Sequence, residues 1–154
     1  MAPATATWQK IVCAVDFSDC ARVALANAIT LACQNGAQLA LVHVLKPPVG
    51  AAMAEPIFPP ADLLTQLETD LGKELERWRQ SALDAGVERV TGDVIVAYDI
   101  HHALLDYAKK NNADAVVIGT HGRTGFKRLV LGSVAEHVVR HTHIPVVVVP
   151  PRAI

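Results

Sequence analysis

The sequence predicts one α/β domain: a five-stranded parallel sheet with helices on both faces. Three observations carry that expectation. Short continuous Val/Ile/Ala runs alternate with longer stretches of helical spacing, the pattern of strands buried on both faces and joined by crossover helices. The 154 residues suffice for one well-packed domain and not for two. Half the chain, 51%, is hydrophobic while 5% is aromatic, so the core is aliphatic.

Taken in order, 10–15 (KIVCAV) reads as a buried strand. A helix follows, with Ser18 as its N-cap, Ala21, Leu25, Ala28 and Ala32 as its inner face and Gly36 as its stop. Residues 37–45 form a second strand. Residues 46–62 hold five prolines in seventeen positions, too many for a helix, and are expected as a mobile loop. Residues 62–85 form a long helix with the stripe Leu63, Leu67, Leu71, Leu75 and Trp78. Strand 90–98, helix 100–112, strand 114–119, helix 133–142 and strand 145–150 complete the set. The domain is expected over 9–150, between a flexible 1–8 and a tail 151–154.

Composition narrows the partners. The net charge is −1 and the pI about 6.6, so a nucleic-acid partner is not expected. No apolar run is long enough for a membrane span, and the first ten residues lack the features of a secretory leader. Cys13, Cys20 and Cys33 lie in apolar contexts and are expected as reduced, buried thiols, which places the chain in the cytoplasm.

The stretch GTHGRTGFKRLVLGS, 119–133, stands out. It places Gly119, Gly122, Gly125 and Gly132 in a basic loop between a strand and a helix. Glycine serves where φ is positive or where backbone must come close to a ligand. Ser133 and Glu136 have capping-box spacing, and a helix start offers N–H groups and partial positive charge to phosphate. Arg123, ahead of Lys127 and Arg128, is the cation expected at that mouth. In such sheets ligands bind beyond the carboxyl ends of the strands, where strand order reverses. Asp16 follows the first strand and Gly119 ends the fourth, so both face one crevice if those strands are neighbours. The spacing matches neither a Walker loop nor a dinucleotide fingerprint.

Gly119-x2-Gly122-x9-Gly132-Ser133 after DAVVIG, together with KIVCAVDFS, LALVHV and IPVVVVP, resembles the universal stress protein family over residues 9–150. The resemblance implies a Rossmann-like adenine-nucleotide-binding sandwich with strand order 3-2-1-4-5. It implies ATP as the ligand; Mg2+ is expected with the nucleotide, held by Asp16 through water, and AMP or cyclic AMP is the alternative, since the same pocket would take a shorter phosphate. Asp16 would meet the ribose; the backbone at Ala14, Val15 and Val44 would frame the adenine. Ile118, Gly119, His121, Gly122, Arg123 and Gly125 would follow the ribose and phosphates, and Gly132, Ser133 and Val134 would hold phosphate. It also implies a homodimer through the last strand, 145–150. Tyr98 stands where many members carry glycine, and its ring is expected to stack in or narrow the crevice.

The histidines read differently. His43, in a strand, is expected as a satisfied core residue. His101-His102 and His141-x-His143 show no carboxylate or cysteine at a recognisable metal-ligand spacing, so no protein-held metal is expected. His121 lies within the glycine loop and is the one candidate base, which makes weak hydrolysis the most that catalysis offers. The expected function is therefore an ATP-binding regulatory dimer with an unidentified protein partner. The alternatives are a slow ATPase, an AMP or cyclic AMP receptor, and a nucleotide-free scaffold.

Overall fold

The computed structural model describes residues 7–48, 61–121 and 131–151. Strands β1 (Lys10–Ala14), β2 (Gln38–Leu45), β3 (Val90–Val96), β4 (Ala115–Gly119) and β5 (Val146–Val149) alternate with helices α1 (Asp19–Asn35), α2 (Ala61–Asp84), α3 (Ile100–Lys110) and α4 (Ser133–His141). All four strand pairings are parallel and the order is β3-β2-β1-β4-β5. The chain leaves β1 toward β2 on one side and later crosses to β4 on the other, so strand order reverses at β1.

Alternation along each strand divides the core. Ile11 and Cys13 face α1 and α2 with Leu39, Leu41 and Val117. Val12 faces α3 and α4 with Ala40, Val42, Val116 and Ile118. The inner face of α1 is made of small residues, Ala21, Ala24, Ala28 and Ala32, all buried; small side chains let this helix lie close to the sheet. Ser18 caps α1 by accepting from the Ala21 N–H, and Gly36 ends it in the left-handed region at φ 62°.

Several ends differ from the sequence expectation for local reasons. The last strand stops short of Pro145 and Pro150, which have no N–H for the ladder. Helix α3 ends at Lys110 because Asn112 turns left-handed, φ 52°. The stripe of α2 divides: Leu75 and Trp78 are buried in the core, while Leu63 is 47% exposed. Cys33 is exposed, which corrects its reading as a buried thiol; it stands in the last turn of α1, beyond the buried Ala21–Ala32 face. Cys13 and Cys20 are buried, and burial pushes the Cys13 thiol up to about 12.

Candidate functional site

The carboxyl ends of β1, β2 and β4 open into a cavity of 870 Å3, within the range of small-molecule sites. Ala14, Val15 and Asp16 enter it from β1, and Val44 from β2. Ile118, Gly119 and His121 come from β4 and its exit, and Gly132, Ser133 and Val134 from the start of α4. All ten described residues expected at the site thus line one cavity. Gly122, Arg123 and Gly125 lie outside the described residues.

Asp16 is set by the turn between β1 and α1. Its Oδ1 accepts from the Ser18 N–H at 3.0 Å and the Ser18 hydroxyl at 2.5 Å. Between them Phe17 adopts φ 64°, rare for a bulky residue. Its ring is held against His43 at 4.8 Å and edge-on to Trp78 at 5.4 Å. His43 is indeed a satisfied core histidine: its Nδ1–H donates to the Val15 carbonyl at 2.7 Å. The strand and helix neighbours thereby fix the loop that carries Asp16.

The two described glycines of the loop have steric reasons inside the fold. A Cβ on Gly119 would lie 2.8 Å from Cys20 Sγ, and one on Gly132 would lie 2.6 Å from the Thr120 carbonyl oxygen. The Gly132 N–H donates to that same carbonyl at 2.6 Å. This clasp between the exit of β4 and the entry of α4 corrects the capping-box expectation. Gly132, not Ser133, is the N-cap; the Ser133 side chain makes no capping bond, and Glu136 pairs with Arg140 instead. Anchoring Gly132 to Thr120 draws the helix start back by one residue. Ser133 is then the first helical residue and lies in the cavity wall, where the N–H groups of the first turn have no partner within the helix. His121 Nδ1 shares a hydrogen bond with the Thr120 hydroxyl at 2.9 Å, while its buried Nε2 finds no partner among the described residues.

Other wall residues were not legible in advance. Lys46 follows β2, Ile100 and Leu104 come from α3, and Leu67, Asp70 and Leu71 close the cavity from α2. Leu67 and Leu71 belong to a stripe that reads as core from its spacing alone. Tyr98 does not line the cavity and is 53% exposed. The expectation that its ring narrows the crevice is corrected: β3 ends at Val96, and Tyr98, two residues on, is solvent-exposed.

A second cluster corrects another expectation. Asp99 caps α3 by accepting from the His102 N–H at 3.1 Å. Its carboxylate also meets His101 Nε2 at 3.1 Å and His102 Nδ1 at 3.0 Å. The two histidines therefore do have a carboxylate partner, brought back over the first turn by its capping role. The hydrogen bond from His102 holds the Asp99 carboxyl below its usual range and raises His102, whereas desolvation lowers His101.

The sequence pattern of the Universal stress protein family matches residues 7–150. The chain belongs to the universal stress protein family. Universal stress protein MJ0531 of Methanocaldococcus jannaschii is 32% identical over 143 residues, 92% of this chain and 82% of that protein. Among solved structures, universal stress protein UspA from Lactobacillus plantarum matches with a TM-score of 0.81 at 24% identity, over 94% of this chain and 99% of that one. A universal stress protein in complex with cAMP has a TM-score of 0.72 at 21% identity, over 96% and 100% of the two chains. The Archaeoglobus fulgidus universal stress protein in complex with dAMP has 0.67 at 23%, over 94% and 99%. The shared universal stress protein architecture is the five-stranded sandwich described above. Among the described residues no helix is long and apolar enough to cross a membrane.

Proposed function

We propose that this universal stress protein is an adenine-nucleotide-binding regulatory module, with ATP as its ligand, acting as a homodimer. The observation that carries the reading is convergence. Ten residues scattered from Ala14 to Val134 line one cavity at the reversal of strand order. The walls suit the ligand. Ala14, Val15 and Val44 offer backbone and apolar surface for a base. Asp16 follows them at the β1 exit, where it would meet the ribose, and the start of α4 offers N–H groups for phosphate. The buried Nε2 of His121 has no polar partner among the described residues, and a bound nucleotide would supply one. Arg123 would add a cation, and Mg2+ would travel with the phosphates, reached by Asp16 through water.

The homodimer would form at β5, an edge strand of the sheet whose Val146, Val147 and Val148 are only half-buried. Val139 of the adjoining α4 is 44% exposed. An apolar edge strand left uncovered invites pairing. The three free thiols fit a reducing cytoplasm, and the protein partner that reads the nucleotide state is unidentified.

A second reading has its own support: two solved relatives hold cAMP and dAMP, so the same pocket would serve as a monophosphate receptor. Calorimetric titration of nucleotide-stripped protein with Mg-ATP, AMP and cyclic AMP decides between them. Micromolar ATP binding, about −8 kcal/mol, with weaker AMP, supports the first reading. Tighter AMP or cyclic AMP supports the second and removes the γ-phosphate from the function. Absence of binding overturns both and leaves a scaffold. ADP release in the same samples tests for slow hydrolysis.

A further inference from the structure

We propose that Asp99, His101 and His102 form a binding site for a divalent transition-metal ion of the Zn2+ class at the start of α3. The site lies outside the nucleotide cavity: none of the three lines it. It goes beyond the nucleotide reading and does not depend on it.

The donor set is the first argument. Two imidazoles and a carboxylate each offer one ligand atom, and these atoms all lie within 4.8 Å of one another. Imidazole nitrogen with carboxylate oxygen suits Zn2+, Ni2+ or Cu2+, whereas Mg2+ takes oxygen ligands. Among the described residues no other group of three or more such side chains converges in this way.

The distances are the second. Ligand atoms of a tetrahedral Zn2+ site, at about 2.0–2.1 Å from the ion, stand roughly 3.3–3.4 Å apart. Asp99 Oδ1 lies 3.1 Å from His101 Nε2 and its Oδ2 lies 3.0 Å from His102 Nδ1, so the carboxylate stands between the two imidazoles with one oxygen toward each. Closure from the 4.8 Å limit is therefore a small ring rotation, and the side chain of His102, 75% exposed, is free to make it. Three protein ligands leave one position for water, the form of an open zinc site.

Orientation of the ligands is the third. Asp99 is held by the His102 N–H at the helix cap. His101 stacks on His137 of α4, ring centroids 4.1 Å apart and 19° from parallel. His137 is itself fixed, its Nδ1–H donating to the Ser133 carbonyl at 3.0 Å. Side chains locked by such outer contacts lose less freedom when an ion arrives.

The test is Zn2+ titration, by calorimetry, of the tag-free, chelator-stripped full chain in a Cys33→Ser background, which removes the exposed thiol as a competing ligand. Two variants are compared. Asp99→Asn keeps the helix cap, since Asn caps as well as Asp, and removes the anionic ligand. His102→Asn changes an exposed side chain. The expected result is one Zn2+ per chain, weakened about tenfold or more by either variant, with unchanged melting temperatures in the absence of metal and no competition from Mg2+. No binding by the parent protein overturns the proposal. So does binding that both variants leave intact; if His137→Asn with His141→Asn then abolishes it, the ion belongs to the i, i+4 pair of α4. Nucleotide titrations of the same samples report independently on the other site.

Discussion

Substituting Gly119 tests whether its lack of a side chain serves the fold, the ligand or both. In Gly119→Ala the new Cβ would lie 2.8 Å from Cys20 Sγ and 3.4 Å from the Cys20 carbonyl oxygen. Optimal carbon contacts lie near ~3.5–4.0 Å, so the sulfur contact is the severe one. Cys20 is 7% exposed, with Sγ facing the Val149 carbonyl at 3.7 Å and the Thr120 hydroxyl at 4.0 Å. The sulfur thus has little room to swing away. Overpacking of this kind costs ~1–3 kcal/mol, while alanine recovers ~0.4–1 kcal/mol by restricting the unfolded chain. A net loss of about 1–2 kcal/mol follows. Removing the sulfur in Cys20→Ala costs about 1 kcal/mol alone but vacates the space that the new Cβ needs. The double variant should therefore be no less stable than Cys20→Ala, a coupling of about 1–2 kcal/mol. Urea unfolding at one fixed protein concentration, followed by the fluorescence of Trp8 and Trp78 together, measures all four corners of the cycle. Losses that add to within ~0.5 kcal/mol would refute the steric account. Nucleotide titration of the double variant then asks the second question. A stable double variant that fails to bind shows that the ligand also needs the bare backbone.

Three further outcomes are expected. Gly132→Val puts a side chain against the Thr120 carbonyl, a backbone atom with no rotamer to yield. It should displace the start of α4, cost ~1–3 kcal/mol and abolish nucleotide binding in a chain that still folds; wild-type affinity by calorimetry would remove Gly132 from the phosphate seat. Deleting residues 145–154 should dissociate the proposed dimer or unfold the chain, and Val139→Lys, which charges an exposed position beside that edge, should give folded monomers; a dimer unchanged by light scattering in both would move the interface elsewhere. With a thiol reagent near pH 8, Cys33 should react quickly. Cys13 should not, because burial disfavours its thiolate until pH nears 12; more than one fast thiol per chain would contradict the buried placement of Cys13 and Cys20.

What was legible followed local rules. Val/Ile runs and helical spacing identify β1 through β5 and α1 through α4, because burial on two faces leaves a continuous apolar signature. Cavity-lining residues at strand ends were legible for a related reason: Asp16 and Gly119 stand where the run of apolar residues stops. The misses depend on contacts that spacing along the chain does not encode. Spacing does not reveal that Gly132 is clasped by Thr120, so Ser133 looked like the cap. Nor does it show that Leu67 and Leu71 leave the core to roof a cavity, since the stripe they continue is unbroken. Asp99 was overlooked because its pairing with His101 and His102 follows from capping geometry and not from a metal-ligand spacing.

The glycine loop and the Asp16 turn solve one problem in opposite ways. At Gly119 and Gly132 the backbone of one element presses on another, and the side chain has been removed to allow it. At Phe17 a bulky side chain is kept in a left-handed conformation that costs about 1–2 kcal/mol. That cost is offset by its packing on His43 and Trp78, where each aromatic pair contributes ~0.5–1.5 kcal/mol beyond area. Glycine at position 17 would relieve the strain and also free the turn. Phe17 therefore serves rigidity: it ties Asp16 to β2 through His43 and to α2 through Trp78. The helix that closes the cavity is thus joined through Phe17 to the turn that carries Asp16, so two of the cavity's walls hold a fixed relation before any ligand arrives.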